Sequence, residues 1–287
     1  MTQRLIKDLL PEFISNLEKL GRSPATILAY RSDLDQLIEF LTKNNVGEPG
    51  QVISEHLDTF RDTLLSQKYT PKSVSRKLNA VKTFFRWLVE NKYLSSDLSK
   101  NVSHPKLESS LPKFLTPLEY RALRDAVRND VRISAMVELI LQSGLRISEV
   151  ANLKTKDLTS QSIKIESYAT QPERVVPLNR PAIDALERYT KERPGVQSEY
   201  IFISKTGKPL AVRNIRAAID RFIQKADLPK YSVNDLRTTF IIENIKNGVD
   251  ITLISQVSGH KRISTTERYI ELAGVKETGK KQSLVEL

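Results

Sequence analysis

Three short segments in the C-terminal half of the chain carry side chains that could bind or react with a phosphate group. The first segment runs from Ser143 to Val150. It places Arg146 at a tight turn, because Gly144 is expected to end one helix and Glu149 lies in the next. A lone arginine at the start of a helix is usually an ordinary surface residue, so Arg146 by itself indicates no function.

The second segment reads Ser232-Val-Asn-Asp-Leu-Arg, with Ser232 and Asp235 at the spacing of a capping box. This spacing predicts that Asn234 and Arg237 lie in the first turns of a helix. The amides at a helix N-terminus attract anions, and a guanidinium adds a two-pronged donor for phosphate oxygens. The alternative is that Arg237 simply pairs with a nearby carboxylate such as Asp235.

The third segment runs from Val257 to Ile270, and Gly259 within it is expected to end a helix. Ser264 and Glu267 predict another capping box, which puts Tyr269 in the second turn of a short helix. Taken alone, Tyr269 is more often a packing residue than a nucleophile, and His260 is more often structural than catalytic. Only the order and spacing of the three segments together are distinctive.

The elements that must position these segments lie in residues 114–287. This part of the chain is predicted to be an α+β domain, mostly helical with a small antiparallel sheet. Helices alternate with three expected strands, which are Ser162–Glu166, Arg174–Pro177 and Tyr200–Ser204. The rest is expected to be helical to about Ala273, followed by a mobile tail.

Residues 1–100 predict a separate all-α domain. Ser23-Pro24 and Thr70-Pro71 each pair an N-cap residue with proline at the first helical position, and an apolar stripe follows both. The amphipathic stretches Leu5–Leu20 and Ile53–Leu65 complete a set of four helices. Between the two domains, residues 101–113 contain prolines and serines without periodicity, which predicts a linker.

The helix after Thr70 has a basic face. On a helical wheel its polar side carries cations with no acidic residue before Glu90, while Lys77 borders the apolar stripe. The candidate DNA-binding residues are Lys72, Arg76, Lys82 and Arg86. They could follow a phosphate backbone or enter a major groove, although a solvated face of an ordinary helix explains them equally well. The net charge of the chain, +11, favours a nucleic acid partner.

The composition excludes several other classes of protein. The absence of cysteine excludes disulfides, thiolate metal sites and cysteine nucleophiles, and the three histidines are too scattered to suggest zinc. No apolar run approaches the ~20 residues of a membrane span. Asp8 and Glu12 fall where a signal peptide would be apolar, so a cytoplasmic location is predicted.

Together the three segments resemble the active-site motifs of the tyrosine recombinases, also called phage-integrase-type site-specific recombinases. The family's Gly-Leu-Arg-x-Ser-Glu box matches residues 144–149, its His-x-x-Arg box aligns with Asn234–Arg237, and its Gly-His box aligns with Gly259–His260. The interval from the arginine of the second box to the histidine is 23 residues, and Tyr269 follows nine residues later. Both intervals are similar to those of Xer-like members.

The resemblance extends to the N-terminal half, where residues 23–34 match a Ser-Pro-x-Thr-x-x-x-Tyr-x-x-Asp-Leu pattern of Xer-like members. It implies a SAM-like, all-α core-binding domain followed by the tyrosine-recombinase catalytic domain. It also implies a homotetramer acting on two double-stranded DNA recombination sites. Leu284–Leu287 would then dock on a neighbouring protomer, although a frayed tail is the alternative.

The chemistry that the resemblance implies is transesterification at a DNA phosphodiester, with no cofactor and no metal. Tyr269 would attack phosphorus and leave a 3′-phosphotyrosine and a free 5′-hydroxyl, on the way to a Holliday junction. Arg146 and Arg237 would hold the non-bridging oxygens. His260 would hydrogen-bond the same phosphate or assist proton transfer, and Asn234 would supply a further donor. A resolvase of transposon cointegrates or replicon dimers is the expected role.

Two departures from the family's pattern support a competing interpretation. Asn234 replaces the first histidine, and the turn of residues 167–173 contains no lysine, although Lys164 lies just upstream. A DNA-binding architectural or regulatory relative without catalysis would fit both departures, but it would not need Tyr269. A metal-dependent nuclease is a weaker alternative, because the sequence shows no convincing carboxylate cluster.

Overall fold

The computed structural model describes residues 4–107, 111–167, 172–275 and 279–287. It divides into two compact units, Met1–Ser109 and Ser110–Leu287, each with its own hydrophobic core. The predicted architecture, mainly α with a small antiparallel sheet, is confirmed. The finer division into residues 1–100, 101–113 and 114–287 stays a prediction.

The N-terminal unit is a set of four helices, as its proline and N-cap signals predict. Ser23 Oγ accepts a hydrogen bond from Thr26 N, and Thr70 Oγ1 accepts one from Ser73 N, so both helices that open with proline are capped as expected. The helices are α1 (Ile6–Lys19), α2 (Pro24–Lys43), α3 (Ser54–Ser66) and α4 (Pro71–Glu90), with a 3-10 turn at Pro49–Gln51.

The first residues of the predicted linker pack on this unit. Val102 is 2% exposed and belongs to the N-terminal core. Ser103 Oγ accepts a hydrogen bond from Arg61 Nη1 at 2.9 Å, and His104 Nδ1 lies 2.9 Å from Ser75 Oγ. The chain is therefore held against α3 and α4 for several residues beyond the last helix of the unit.

The C-terminal unit is built around α6, whose residues from Ala135 to Ser143 are all buried. This helix packs against α8 and α10, and most of its buried side chains are apolar, while the buried Glu138 and Gln142 are hydrogen-bonded. The elements are α5 (Pro117–Val127), α6 (Val131–Ser143), α7 (Ile147–Ala151), a 3-10 turn (Thr155–Asp157), β1 (Ser162–Ile165), β2 (Arg174–Pro177), α8 (Arg180–Glu192), α9 (Val212–Lys225), α10 (Val233–Lys246), α11 (Ile251–Ser258) and α12 (Ser264–Ala273).

The small sheet consists of β1 and β2, which pair antiparallel with Ser162 opposite Pro177. The predicted third strand at Tyr200–Ser204 is wrong, because in this stretch the described residues form only isolated bridges. Its apolar side chains are buried, but Arg193 occupies the carbonyls of Tyr200 and Ile201 that a neighbouring strand would need. Burial rather than strand pairing explains the apolar run.

The end of the chain is ordered against the C-terminal unit, so the expectation of a mobile or frayed tail is wrong for residues 279–287. Lys281 bridges Val249, and Val285 N donates to Oδ1 of the fully buried Asn244 at 3.0 Å. Leu287 N donates to Gln142 Oε1 at 3.1 Å. The tail thus provides partners for buried polar side chains of α6 and α10, while residues 276–278 lie outside the described part.

No helix within the described ranges combines the length and the apolar composition needed to cross a bilayer.

Candidate active site

An open cavity of about 370 Å³ lies in the C-terminal unit where α7, α10 and α12 meet. Four of the five residues predicted to act on a phosphate line it, and the fifth, His260, stacks on one of the four. The lining residues are Leu145, Arg146, Ile147, Ser148, Val233, Asn234, Arg237, Thr238 and Tyr269.

Arg146 is held at the predicted turn between α6 and α7. Gly144 takes a φ of +63°, and a Cβ there would clash with the ring of Phe240, so the turn requires glycine. Arg146 Nη2 donates to Gly259 O at 2.8 Å and Nη1 donates to Glu149 Oε1 at 3.0 Å. Arg146 is therefore a fixed, partly buried side chain rather than an ordinary surface arginine.

Arg237 is fixed by two backbone carbonyls at helix C-termini. Its Nη1 donates to Gly144 O and its Nη2 donates to Ser258 O at 2.6 Å. Such carbonyls lack partners within their own helices and carry the negative end of the helix dipole. Asp235 instead accepts hydrogen bonds from Ser232, at 2.8 and 2.9 Å, so the alternative in which Arg237 pairs with Asp235 is wrong.

The two guanidinium groups create a strongly cationic wall. Each guanidinium has five N–H groups and uses two of them in the contacts above, so three N–H groups on each are not engaged by these contacts, and both residues line the cavity. Burial, together with the charges of Arg146 and Arg174, lowers the pKa of Arg237 to about 9, which still leaves it charged near neutral pH. An anion in the cavity would relieve this repulsion.

Glu149 and Arg174 complete the site, although neither was predicted from the sequence to have a role there. Arg174 Nη1 and Nη2 donate to the two carboxylate oxygens of Glu149 at 2.9 and 2.7 Å, and Nε donates to Val257 O at 2.8 Å. The same carboxylate accepts from Arg146 N at 2.8 Å. Burial alone would raise the pKa of Glu149, but the hydrogen bonds and charges of Arg174 and Arg146 lower it overall.

The sequence did contain a signal for both residues. Glu149 follows Arg146 at the spacing of a capping box, and Arg174 opens the Arg-Val-Val-Pro-Leu strand. The sequence could not show that the strand places Arg174 in contact with the end of α11.

His260 lies directly after α11 and against the ring of Tyr269. The two ring centroids are 6.3 Å apart with an interplanar angle of 8°. His260 Nδ1 lies 2.8 Å from the hydroxyl of the fully buried Thr266, so this nitrogen is engaged and Nε2 is left for other partners. Burial, and next the charges of Arg237 and Arg146, lower the pKa of His260 to about 4. The imidazole is therefore neutral near pH 7.

Tyr269 lies within α12, as predicted, but the start of this helix differs from the expectation. Ile263 is the N-cap residue and no side chain caps the helix, so the predicted capping box of Ser264 and Glu267 is wrong. In the first turn, the Thr266 hydroxyl bonds to His260. This contact helps to fix the start of α12 close to the histidine.

The structure does not assign a role to the lysine nearest the expected turn. Residues 168–171 of that turn lie outside the described residues. Lys164, on β1, has a side chain that is 51% exposed and pairs with Glu173 at 3.1 Å.

The four candidate DNA-binding residues lie on α4 of the N-terminal unit. Three of them, Lys72, Arg76 and Arg86, are exposed, and Lys82 is partly exposed. Lys77, which borders the apolar stripe, is only 4% exposed and is bonded to Asp33.

Comparison with known families accounts for both units. Residues 113–274 match the Phage integrase family, and residues 10–92 match the Phage integrase, N-terminal SAM-like domain. The chain is similar to tyrosine recombinase XerC of Myxococcus xanthus, with 31% identity over 93% of this chain and 94% of that protein. It is also similar to tyrosine recombinase XerC of Roseiflexus castenholzii, with 28% identity over 87% of this chain and 84% of that protein.

Solved structures agree with this relationship. The crystal structure of XerA recombinase is 26% identical, with a TM-score of 0.53, over 92% of this chain and 93% of that one. A lambda integrase tetramer bound to a Holliday junction shares the fold at 16% identity, with a TM-score of 0.78 over 98% of this chain and 82% of that one. The resemblance seen in the sequence is thereby confirmed, and the chain belongs to the phage integrase family as a tyrosine site-specific recombinase of the Xer type.

Proposed function

We propose that this recombinase cuts and rejoins DNA through a 3′-phosphotyrosine intermediate and a Holliday junction, and that it resolves transposon cointegrates or replicon dimers. The observation that carries this proposal is the shared cavity of Arg146, Arg237 and Tyr269. A charged pair of arginines beside a tyrosine hydroxyl suits attack on a phosphodiester, which is an anion that must gain further negative charge as it reacts.

In the cleavage step, the phenolic oxygen of Tyr269 forms a bond to phosphorus and the bond from phosphorus to the 5′-oxygen breaks. The tyrosine loses its proton, and the leaving 5′-oxygen gains one to become a hydroxyl. The 5′-hydroxyl of the partner strand later attacks the phosphotyrosine, which restores Tyr269 and joins the new strands. The free N–H groups of Arg146 and Arg237 stabilise the charge that develops on the non-bridging oxygens.

His260 and Asn234 have supporting roles at the same phosphate. When Nδ1 of His260 donates to Thr266, Nε2 carries the lone pair that can accept a proton or a hydrogen bond. Asn234 is exposed at the cavity and can donate its amide to a phosphate oxygen, but it cannot transfer protons. The group that protonates the leaving 5′-oxygen is therefore not Asn234.

The partner is a double-stranded DNA site, and a homotetramer acts on two such sites. Cutting and joining two duplexes requires four nucleophiles, and lambda integrase, which shares this fold, forms a tetramer on a Holliday junction. Lys72, Arg76, Lys82 and Arg86 would contact the DNA from α4. This activity would take place in the cytoplasm.

A second candidate function is DNA binding without catalysis, and Asn234 in place of a histidine is the observation that favours it. The arrangement around Tyr269 favours catalysis instead. A binding protein gains nothing from two arginines that are fixed beside a tyrosine by backbone carbonyls and a largely buried carboxylate.

A plasmid that carries two directly repeated copies of the recognised site tests the proposal. The site itself is first selected from random duplexes with the full-length protein. With EDTA present, the wild-type protein should convert the plasmid into two circles, while Tyr269→Phe should bind but give no product. Tyr200→Phe, which alters a tyrosine outside the cavity, should behave as wild type. Binding without circles from the wild-type protein would overturn catalysis and support the second candidate.

A further inference from the structure

Arg76 on α4 is the one of the four candidate DNA-binding cations that pairs with a buried carboxylate. Its Nη1 and Nη2 donate to the two oxygens of Asp33 on α2. The Asp33 side chain is 2% exposed, whereas the Arg76 side chain is 52% exposed. The buried Asp33 therefore fixes the terminal nitrogens of Arg76, while about half of the Arg76 side chain stays exposed to solvent.

Lys77 neutralises Asp33 from the interior. Its Nζ donates to Asp33 Oδ1 at 2.9 Å and to Gln36 Oε1 at 2.8 Å, and it lies 5.1 Å from the centre of the Tyr69 ring. Two cations thus share one carboxylate, so the cluster keeps a net positive charge. The exposed part of that charge is on Arg76.

The other three cations share the arc of Arg76 on α4 but not its anchoring. At about 100° per residue, Lys72, Lys82, Arg86 and Arg76 fall within roughly 120° of one another. Within the described part of the chain, no carboxylate pairs with Lys72 or Arg86, which are exposed. Arg76 and Arg86 are therefore the same residue type on the same helix face, but only Arg76 is held by a carboxylate among the described residues.

We propose that Arg76 reads a guanine in the major groove of the recombination site, with Asp33 as the positioning residue that orients it. The proposal rests on the proposed function, since it needs a specific DNA site. Asp33 takes one N–H from each terminal nitrogen of Arg76, so Nε–H and a second N–H on the same edge remain. Those two adjacent donors match O6 and N7 of guanine, both acceptors.

A contact to phosphate explains the arrangement less well. Attraction to phosphate depends mainly on charge, and a carboxylate partner reduces the charge that Arg76 presents. Base readout depends on orientation, which the two bonds to Asp33 fix before DNA arrives, and this lowers the entropic cost of the contact. Lys72 and Arg86, which lack such a partner, suit phosphate.

The test compares full-length wild-type protein with Arg76→Lys, Arg76→Ala and the matched control Arg86→Ala. Each protein selects sites from random duplexes, and affinities for the enriched site and its single-base variants are measured at two salt concentrations. Arg76→Lys can still pair with Asp33 but lacks the planar, fixed pair of donors of a guanidinium, so it separates a lost base contact from lost folding. Circular dichroism melting checks that each variant is folded.

We expect the wild-type protein to prefer guanine at one position by about tenfold or more, and both Arg76 variants to lose that preference. Arg86→Ala should weaken binding to all sequences alike and leave the preference in place. The proposal is overturned if the Arg76 variants weaken binding to all sequences equally, or if the preference that they lose is for a base other than guanine. If the wild-type protein enriches no sequence, the proposed function fails together with this inference.

Discussion

Arg174 and Glu149 form a two-point ion pair that joins the small sheet to the start of α7. The Arg174 side chain is 8% exposed and the Glu149 side chain 11%, so solvent screens the pair only weakly. Because Glu149 also holds Arg146, and Arg174 also holds the Val257 carbonyl, the pair determines where Arg146 lies relative to the end of α11.

Arg174→Lys should slow DNA cleavage without weakening DNA binding. Lysine keeps the charge but cannot make both bonds to Glu149 and the bond to Val257. A displacement of Arg146 on the order of 1 Å would then lower the cleavage rate by roughly 10- to 100-fold. The measurement is the single-turnover rate of adduct formation on a nicked duplex, with affinity measured separately.

Arg180→Lys is the matched control, because Arg180 is 73% exposed and pairs with Asp184 on the surface of α8. It should leave both the rate and the affinity unchanged. An unchanged rate for Arg174→Lys, or a loss of affinity as large as the loss of rate, would show that Arg174 does not position the site.

Gly259→Ala should lower the cleavage rate more than its effect on stability explains. Gly259 has a φ of +65°, and a Cβ there would lie 2.8 Å from Arg174 Nη1 and 3.1 Å from Arg146 Nη1. Gly274 ends α12 with a φ of +69°, and none of the described atoms lies within 4 Å of its Cβ position. Both alanine variants should lose about 1 kcal/mol of unfolding free energy from backbone strain.

Because both variants carry the same backbone strain, the difference between them reports the effect of displacing Arg146 and Arg174. Chemical denaturation gives the stability of each, and the nicked duplex gives the rate. We expect Gly274→Ala to cleave at nearly the wild-type rate. If both variants cleave equally well, the close approach of Gly259 to the two arginines has no functional consequence.

Local signals in the sequence predicted the helices and the turns around the site. Gly144 and Gly259 end α6 and α11 as expected, and Ser23 and Thr70 cap α2 and α4. These features depend on residues a few positions apart, where capping and left-handed conformations have clear sequence preferences.

Features that depend on distant residues were missed or misread. Arg174 reaches Glu149 and Val257 across the fold, and no local pattern indicates such a contact. The apolar run at Tyr200–Ser204 looks like a strand, but Arg193 takes two of its carbonyls. Likewise, the tail contains many polar residues, yet its backbone bonds to buried Gln142 and Asn244.

The pKa of His260 should make the protein less stable in acid. Burial and nearby arginines lower this pKa to about 4, below the ordinary value of 6.5 that the unfolded chain would have. The unfolded state therefore binds more protons between these two values, so the contribution of His260 to the unfolding free energy is present above about pH 6.5 and is lost as the pH falls toward 4.

Nuclear magnetic resonance of the imidazole, with denaturation of wild-type protein and His260→Gln at several pH values, measures this effect. The stability advantage of the wild-type protein should shrink between pH 6.5 and 4. A bound duplex should raise the pKa, because the phosphate offsets the arginine charges. An ordinary pKa of His260 in the DNA-free protein would contradict its burial among the arginines of the site.

Asn234 should contribute a hydrogen bond and no proton transfer. Removing a donor to a charged phosphate oxygen in Asn234→Ala should lower the cleavage rate by about tenfold. Asn234→His restores a donor and should cleave at least as fast as the wild-type protein. The control is Asn214→Ala, which changes an exposed asparagine in the first turn of α9 and outside the cavity. If Asn234→Ala cleaves at the wild-type rate, Asn234 does not contact the phosphate.

The most direct test of the account is to identify the covalent bond itself. The protein is incubated with a nicked duplex of its selected site in EDTA, the adduct is digested, and mass spectrometry locates the linkage. We predict a bond between the Tyr269 oxygen and a 3′-phosphate, in a peptide from α12, and no adduct from Tyr269→Phe. A linkage to another residue or to a 5′-phosphate would contradict the account.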